Sequence, residues 1–164
     1  KRVMSAIIKE LEMLASITSG RQKQIFEDMI AFAQEVKMTP ITDVFSKEQI
    51  AYIEEYIKPE KKECYKNATQ LCWAFPGQVE YCEGKFTCHG ISIDHAFNKV
   101  GDKYVDITKE LVLGGLDEET EYVVLGTYNA EEVRRVAVET GYYGDVYRLK
   151  YIEKMTENHG ELNA

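Results

Sequence analysis

Apolar residues recur at steps of three and four through the first part of the chain, the spacing of helices with one buried side. Val3, Ile7, Leu11, Leu14 and Ile17 form one stripe, broken at Ser19-Gly20. Ile25, Met29, Ile30, Phe32 and Val36 form a second, ended by Pro40. Ser46 opens a third helix. It stands at capping-box spacing from Gln49, and Ile50, Ile53 and Ile57 supply the apolar side before Pro59. A fourth helix is predicted over 62–75, ahead of Pro76-Gly77, with Cys64, Ala68, Leu71, Cys72 and Phe75 turned inward.

The period then changes. Residues 78–86 and 91–100 are rich in β-branched and aromatic side chains, as strands are. Gly101-Asp102 suits a hairpin turn into a strand over 103–107. Further on, 122–125 reads as a strand. Asn129 can cap a helix with Val133, Val136 and Ala137 on its apolar side and Gly141 after it, and 145–152 reads as a last strand. Helices followed by mostly antiparallel strands predict an α+β fold, with N-terminal helices packed on the sheet. One domain over 1–155 is expected: a helical part over 1–58, a core over 59–110 and a strand–helix–strand part over 120–152. The polar stretch 156–164 is expected to fray.

Composition narrows the partners. The chain has 164 residues, 45% apolar and 29% charged, a globular balance. A net charge of −8 and the lack of an arginine-rich stretch disfavour nucleic acid. The apolar runs are too short for a bilayer and no secretory start is visible, so no membrane partner is expected. Cys64, Cys72, Cys82 and Cys88 crowd into one stretch. A chain this long needs no disulfide framework. There is no C-x-x-C, and the cysteine gaps match no common zinc spacing even with His89 and His95 nearby. Reduced thiols in a cytoplasmic compartment are expected, with no metal and no cofactor.

The hairpin allows geometry to be derived. A turn centred on Gly101-Asp102 pairs Val100 with Lys103, so that Phe97 faces Asp106 and His95 faces Thr108. His95 and Asp106 then share one sheet face as diagonal neighbours, about 7–8 Å apart at the backbone, which an imidazole and a carboxylate can bridge. Asp94 points to the other face and Asp102 sits in the turn. A one-residue slip would separate His95 from Asp106. Cys64 lies in the first turn of the fourth helix, after Lys61 and Lys62. A helix N-terminus favours negative charge and offers free N–H groups. A thiol there, facing an imidazole held by a carboxylate, suits nucleophilic acyl transfer. The plainer reading makes Cys64 a small buried hydrophobe and the His95–Asp106 pair a surface hydrogen bond.

The stretch ECYKNATQLCWAFPGQVEYCEGKF, followed by HAFNKVGDKYVDIT, resembles the core of transglutaminase-like cysteine enzymes, of papain-like fold. In that family a nucleophilic cysteine opens a helix, and a short turn leads to a valine–x–glycine–tyrosine strand. A histidine strand, a glycine turn and an aspartate strand follow. Val79-Glu80-Tyr81-Cys82-Glu83-Gly84 looks like the first strand, His95-Ala96-Phe97-Asn98 like the second and Tyr104-Val105-Asp106-Ile107-Thr108 like the third. Phe97 takes the place of the usual tryptophan, Ile107 that of a proline, and Lys62-Glu63 that of a glycine-x lead. The resemblance covers 63–108. It implies Cys64 as nucleophile, His95 as general acid/base and Asp106 as its orienting partner. The implied activity is a cysteine-dependent hydrolase or acyltransferase on an amide or thioester, with a protein, peptide or small amide as substrate. The alternative is an inactive papain-like module that binds a partner protein through an acidic, tyrosine-rich surface that includes Tyr142, Tyr143, Tyr147 and Tyr151.

Overall fold

The computed structural model describes residues 5–162, and for 159–162 the backbone alone. Val3, placed above at the head of the first stripe, lies outside the described residues, as does the end of the polar tail at 163–164. The fold is α+β: helices pack on a five-stranded antiparallel sheet. Among the described residues no helix is long and apolar enough to cross a membrane.

Helix α1 (Ala6–Ile17) starts where the Ser5 hydroxyl accepts from the Ile8 N–H, and it buries Ile7, Leu11 and Ala15. Helix α2 (Gly20–Phe32) folds back against it. The second apolar stripe was expected to stay helical to Val36. Instead the chain turns extended at Ala33, and strand β1 (Gln34–Val36) pairs with a strand ninety residues on. Three residues are too few to carry a period, and a distant partner decides their conformation. Helix α3 (Lys47–Tyr52) begins on the expected capping box, with Ser46 and Gln49 satisfying each other's backbone N–H. A π-turn over Ile53–Ile57 ends it, with Lys58 left-handed ahead of Pro59.

Helix α4 (Cys64–Ala74) leads into β2 (Val79–Cys88), β3 (Ile91–Val100) and β4 (Lys103–Val105). His89 and Gly90 both have positive φ, the two-residue turn whose twist matches a β2–β3 hairpin. The second hairpin has the expected register, with Val100 opposite Lys103 and Asn98 opposite Val105. It ends there. The strand predicted through 107 stops at Val105, and Ile107–Val112 forms a short helix, α5. Strand β5 (Tyr122–Tyr128) is followed by helix α6 (Ala130–Thr140), capped by Asn129 and closed by left-handed Gly141 as predicted.

The last segment overturns its expectation. Residues 145–152 form no strand, and the stretch from 156 does not fray at once. Residues 146–152 and 156–162 belong to one helix, α7 (Val146–Leu162). The segment was expected as a strand, but its start is set from elsewhere. The buried Glu83 carboxylate on β2 accepts from the N–H groups of Val146 (3.0 Å) and Tyr147 (2.9 Å), capping α7 across the fold.

The sheet runs β1-β5-β2-β3-β4. It curls until Met38, just past β1, pairs with Tyr104 on β4, and the Thr39 N–H donates to the Tyr104 carbonyl at 2.7 Å. Cys82, Phe86, Phe97, Tyr104, Tyr122 and Val124 form one core cluster of the curled sheet. Helix α4 packs on β2 and β3, and its Ala68 and Cys72 join Tyr81, Ala96, Val133, Val136 and Val146 in a second cluster. Helices α1 and α2 cover Val123. Between Glu83 and Gly84 the β2–β5 register shifts, and a Cβ on Gly84 would lie 1.8 Å from the Val123 carbonyl oxygen. Only glycine permits that approach. Gly84→Ala is expected to cost about 1–3 kcal/mol of folding stability. The check is a lower urea midpoint at unchanged slope; an unchanged midpoint would contradict the close strand approach.

Candidate active site

Cys64 is the first residue of α4, half-buried. Glu63 precedes it without a side-chain cap, and no acidic residue occupies the first turn. Lys62, at φ 66°, turns the chain sharply into the helix. Asn67, one turn on and 1% exposed, fixes this entry. Its side chain accepts from the Glu60 N–H (3.2 Å) and donates to the Glu60 carbonyl (2.9 Å) and to the Thr108 hydroxyl (2.9 Å). The helix start that carries Cys64 is thereby tied to the segment that carries Asp106. On β3, the Asn98 amide donates to the Ala68 carbonyl (2.9 Å), joining the histidine strand to the same helix.

His95 sits on β3 opposite Gly84, and its ring stacks on Phe86 at 3.7 Å and 9°. Its Nε2 lies 2.7 Å from Asp106 Oδ2. Both residues are buried, at 3% and 1% exposure. Asp106 is not a paired strand residue facing Phe97. It lies one step past the end of β4, where its Oδ1 caps α5 by accepting from the Lys109 N–H at 3.0 Å. Its Oδ2 also accepts from the Tyr122 hydroxyl at 2.7 Å. Three donors thus hold the carboxyl rigidly. Thr108, expected opposite His95, lies inside α5 and serves Asn67 instead. Asp94 is exposed and pairs with Lys85 at 2.8 Å, away from the imidazole contact.

The third member arrives from the helix. Cys64 stands close enough to the His95 ring to help it hold its proton. Burial alone would push the His95 imidazolium to a lower pKa. The Asp106 charge and hydrogen bond, helped by Cys64, overcome this and raise it to about 9. The other thiols are poorer candidates. Burial pushes Cys72 and Cys82 each up to about 12. Cys88 ends β2 beside the His89-Gly90 turn. Trp73 packs with the α4–α6–α7 cluster, 6.1 Å from Tyr143.

Tyr122, Asn67 and Phe86 belong to this site and had no mark in the sequence. Each contributes through a contact with a segment far from it along the chain, so no local spacing could point to it. No family model, no curated protein and no solved structure matches this chain.

A raised folded-state pKa at His95 means the native state holds a proton that the unfolded chain, near 6.5, gives up first. The stabilisation is complete below pH 6.5 and is lost as pH rises through about 9. Urea unfolding across that window should show stability falling with pH, and Asp106→Asn should abolish the slope. Equal slopes in the two proteins would contradict the assigned cause. Tyr122→Phe removes a donor from the buried carboxyl and should cost about 1–3 kcal/mol.

Proposed function

We propose that this chain is a cysteine-dependent hydrolase or acyltransferase acting on an amide or thioester. The reading rests on one observation: a buried histidine bound to a buried aspartate, with a helix-start cysteine near enough to favour the ring's proton. The resemblance of 63–108 to transglutaminase-like enzymes supports the same assignment of roles.

In this reading the proton shared by Cys64 and His95 rests on the His95 ring, and the sulfur attacks the acyl carbonyl. The Cys64 backbone N–H helps hold the oxyanion. As the tetrahedral species collapses, the bond from carbon to the leaving nitrogen or sulfur breaks, and His95 gives that group its proton. The acyl group is then a thioester on Cys64. Water or an acceptor amine attacks it, His95 accepts the incoming proton, and the thiol is restored. Water yields the acid and an amine yields transfer. Asp106 holds the ring orientation throughout and stabilises its positive charge. In this reading the substrate is a protein, a peptide or a smaller amide and not a nucleic acid, in keeping with the net charge of −8. Four unpaired thiols suit a reducing, cytoplasmic compartment.

Iodoacetamide at neutral pH tests the pair. Cys64 should be alkylated about tenfold or more faster than Cys88, and His95→Ala should remove the difference. Equal alkylation of Cys64 and Cys88 in the unaltered protein would overturn the proposal.

A further inference from the structure

Strand β3 pairs with β2 along its whole length, but on its other side only residues 98–100 have a strand partner. There β4 ends at Val105 and the chain turns into α5. Backbone groups alternate in direction along a strand. Val100 and Asn98 turn theirs toward Lys103 and Val105, so Ala96, Asp94 and Ser92 turn their N–H and C=O groups to the same outer side. Among the described residues no backbone group bonds to those of Ser92 or Asp94 there. Asp94 is exposed and Ser92 half-buried. The outer half of the β2–β3 hairpin thus carries a short open edge.

This edge leads to the candidate site. His95 stands between Asp94 and Ala96, and the open stretch begins beyond the point where β4 stops. Asp106, one step past Val105, comes from that same outer side to bind the ring. Ile91 and Ile93 precede His95 by four and two residues, so their side chains share its face of the sheet. Both are exposed, although Phe86, Phe97, Tyr104 and Tyr122 on that face are buried core. An unpaired row of donors and acceptors, with apolar side chains exposed beside it, is a template for one more strand.

The edge also indicates its occupant. The open stretch suits a single extended chain and falls far short of the area that two folded subunits bury in a stable pair. A second copy would also bring another net charge of −8 against the first. A peptide carries neither cost, and its alternate side chains would fall beside Ile91 and Ile93. A small amide would leave the edge unused.

We propose that the outer edge of β3 at Ser92 and Asp94 is the substrate-binding edge of the candidate site. It takes an extended peptide segment as an added strand and leads the acyl carbonyl of that segment to Cys64, with apolar side chains preferred beside Ile91 and Ile93. The inference rests on the thiol chemistry proposed above and narrows its substrate to extended polypeptide segments.

The test uses two para-nitrophenyl esters with the whole chain, one of acetylglycine and one of acetyl-valyl-threonyl-valylglycine. The Cys64 sulfur bonds the acyl carbon, the ester C–O bond breaks and nitrophenolate leaves. Release is followed by absorbance, and attachment to Cys64 by mass. Each rate is divided by that ester's rate with free N-acetylcysteine. The peptide ester should exceed the acetylglycine ester by about tenfold or more on this scale, the effect of roughly two net hydrogen bonds. Methylating the peptide's backbone nitrogens, which leaves its side chains in place, should bring the ratio near one. Ser92→Pro removes an outward N–H and spares the pairs with β2, which Ile91 and Ile93 carry. It should lower the peptide rate to that of acetylglycine and leave the acetylglycine rate unchanged. In parallel, the peptide as its amide, added to the Cys64→Ala protein, should shift the Ser92 and Asp94 amide resonances saturably. Equal normalised rates in the unaltered protein would overturn the edge and leave the thiol chemistry standing. Saturable shifts with no acylation of Cys64 by either ester would overturn the thiol chemistry, and with it the edge's role in presenting substrate. A dimer that Ser92→Pro converts to monomer would give the edge to a second copy and overturn the proposal.

Discussion

The contact between His95 Nε2 and Asp106 Oδ2, 2.7 Å long and almost wholly out of water, is the interaction on which the site depends. A buried imidazole and a buried carboxyl are each costly alone. Together, and with further donors on the carboxyl, they become tolerable, and the ring acquires a fixed orientation and a preference for its proton. Tyr122 and the Lys109 N–H supply those donors, and Phe86 covers the ring face. Cys64, half-buried at the start of α4, stands near enough to the ring to help it hold its proton.

Holding three segments in register takes more than the triad itself. Asn67 ties the start of α4 to Thr108, two residues beyond Asp106. Asn98 ties α4 to β3. Glu83 ties β2 to α7. Burial raises the Glu83 carboxyl above its usual range, against the hydrogen bonds from Tyr81, Tyr147 and Val146 that favour its charge. These buried polar links define one arrangement of helices on the sheet where apolar packing alone would permit sliding. The candidate nucleophile and its base therefore share a common support.

What could be read in advance follows a physical boundary. The α+β class, the Ser46–Gln49 cap, the Asn129 and Gly141 ends of α6 and the Val100–Lys103 register all depend on residues within a few positions of one another. The His95–Asp106 proximity followed from that same short turn, although Asp106 reaches the ring from a helix cap and not from a paired strand. Strand β1, helix α7, Tyr122 and Asn67 were invisible because their partners lie far along the chain. In α7 a distant carboxylate outweighed a strand-like composition, and in β1 a distant strand claimed the end of a helical stripe. Tertiary contacts override local preference at such places.

The most direct measurement is the titration of the His95 ring nitrogens by nitrogen-15 NMR, in the unaltered protein and in Asp106→Asn. The account predicts an imidazolium at neutral pH that loses its proton near pH 9, and a markedly lower midpoint once the aspartate charge is removed. A ring already neutral at pH 7 in the unaltered protein would contradict it.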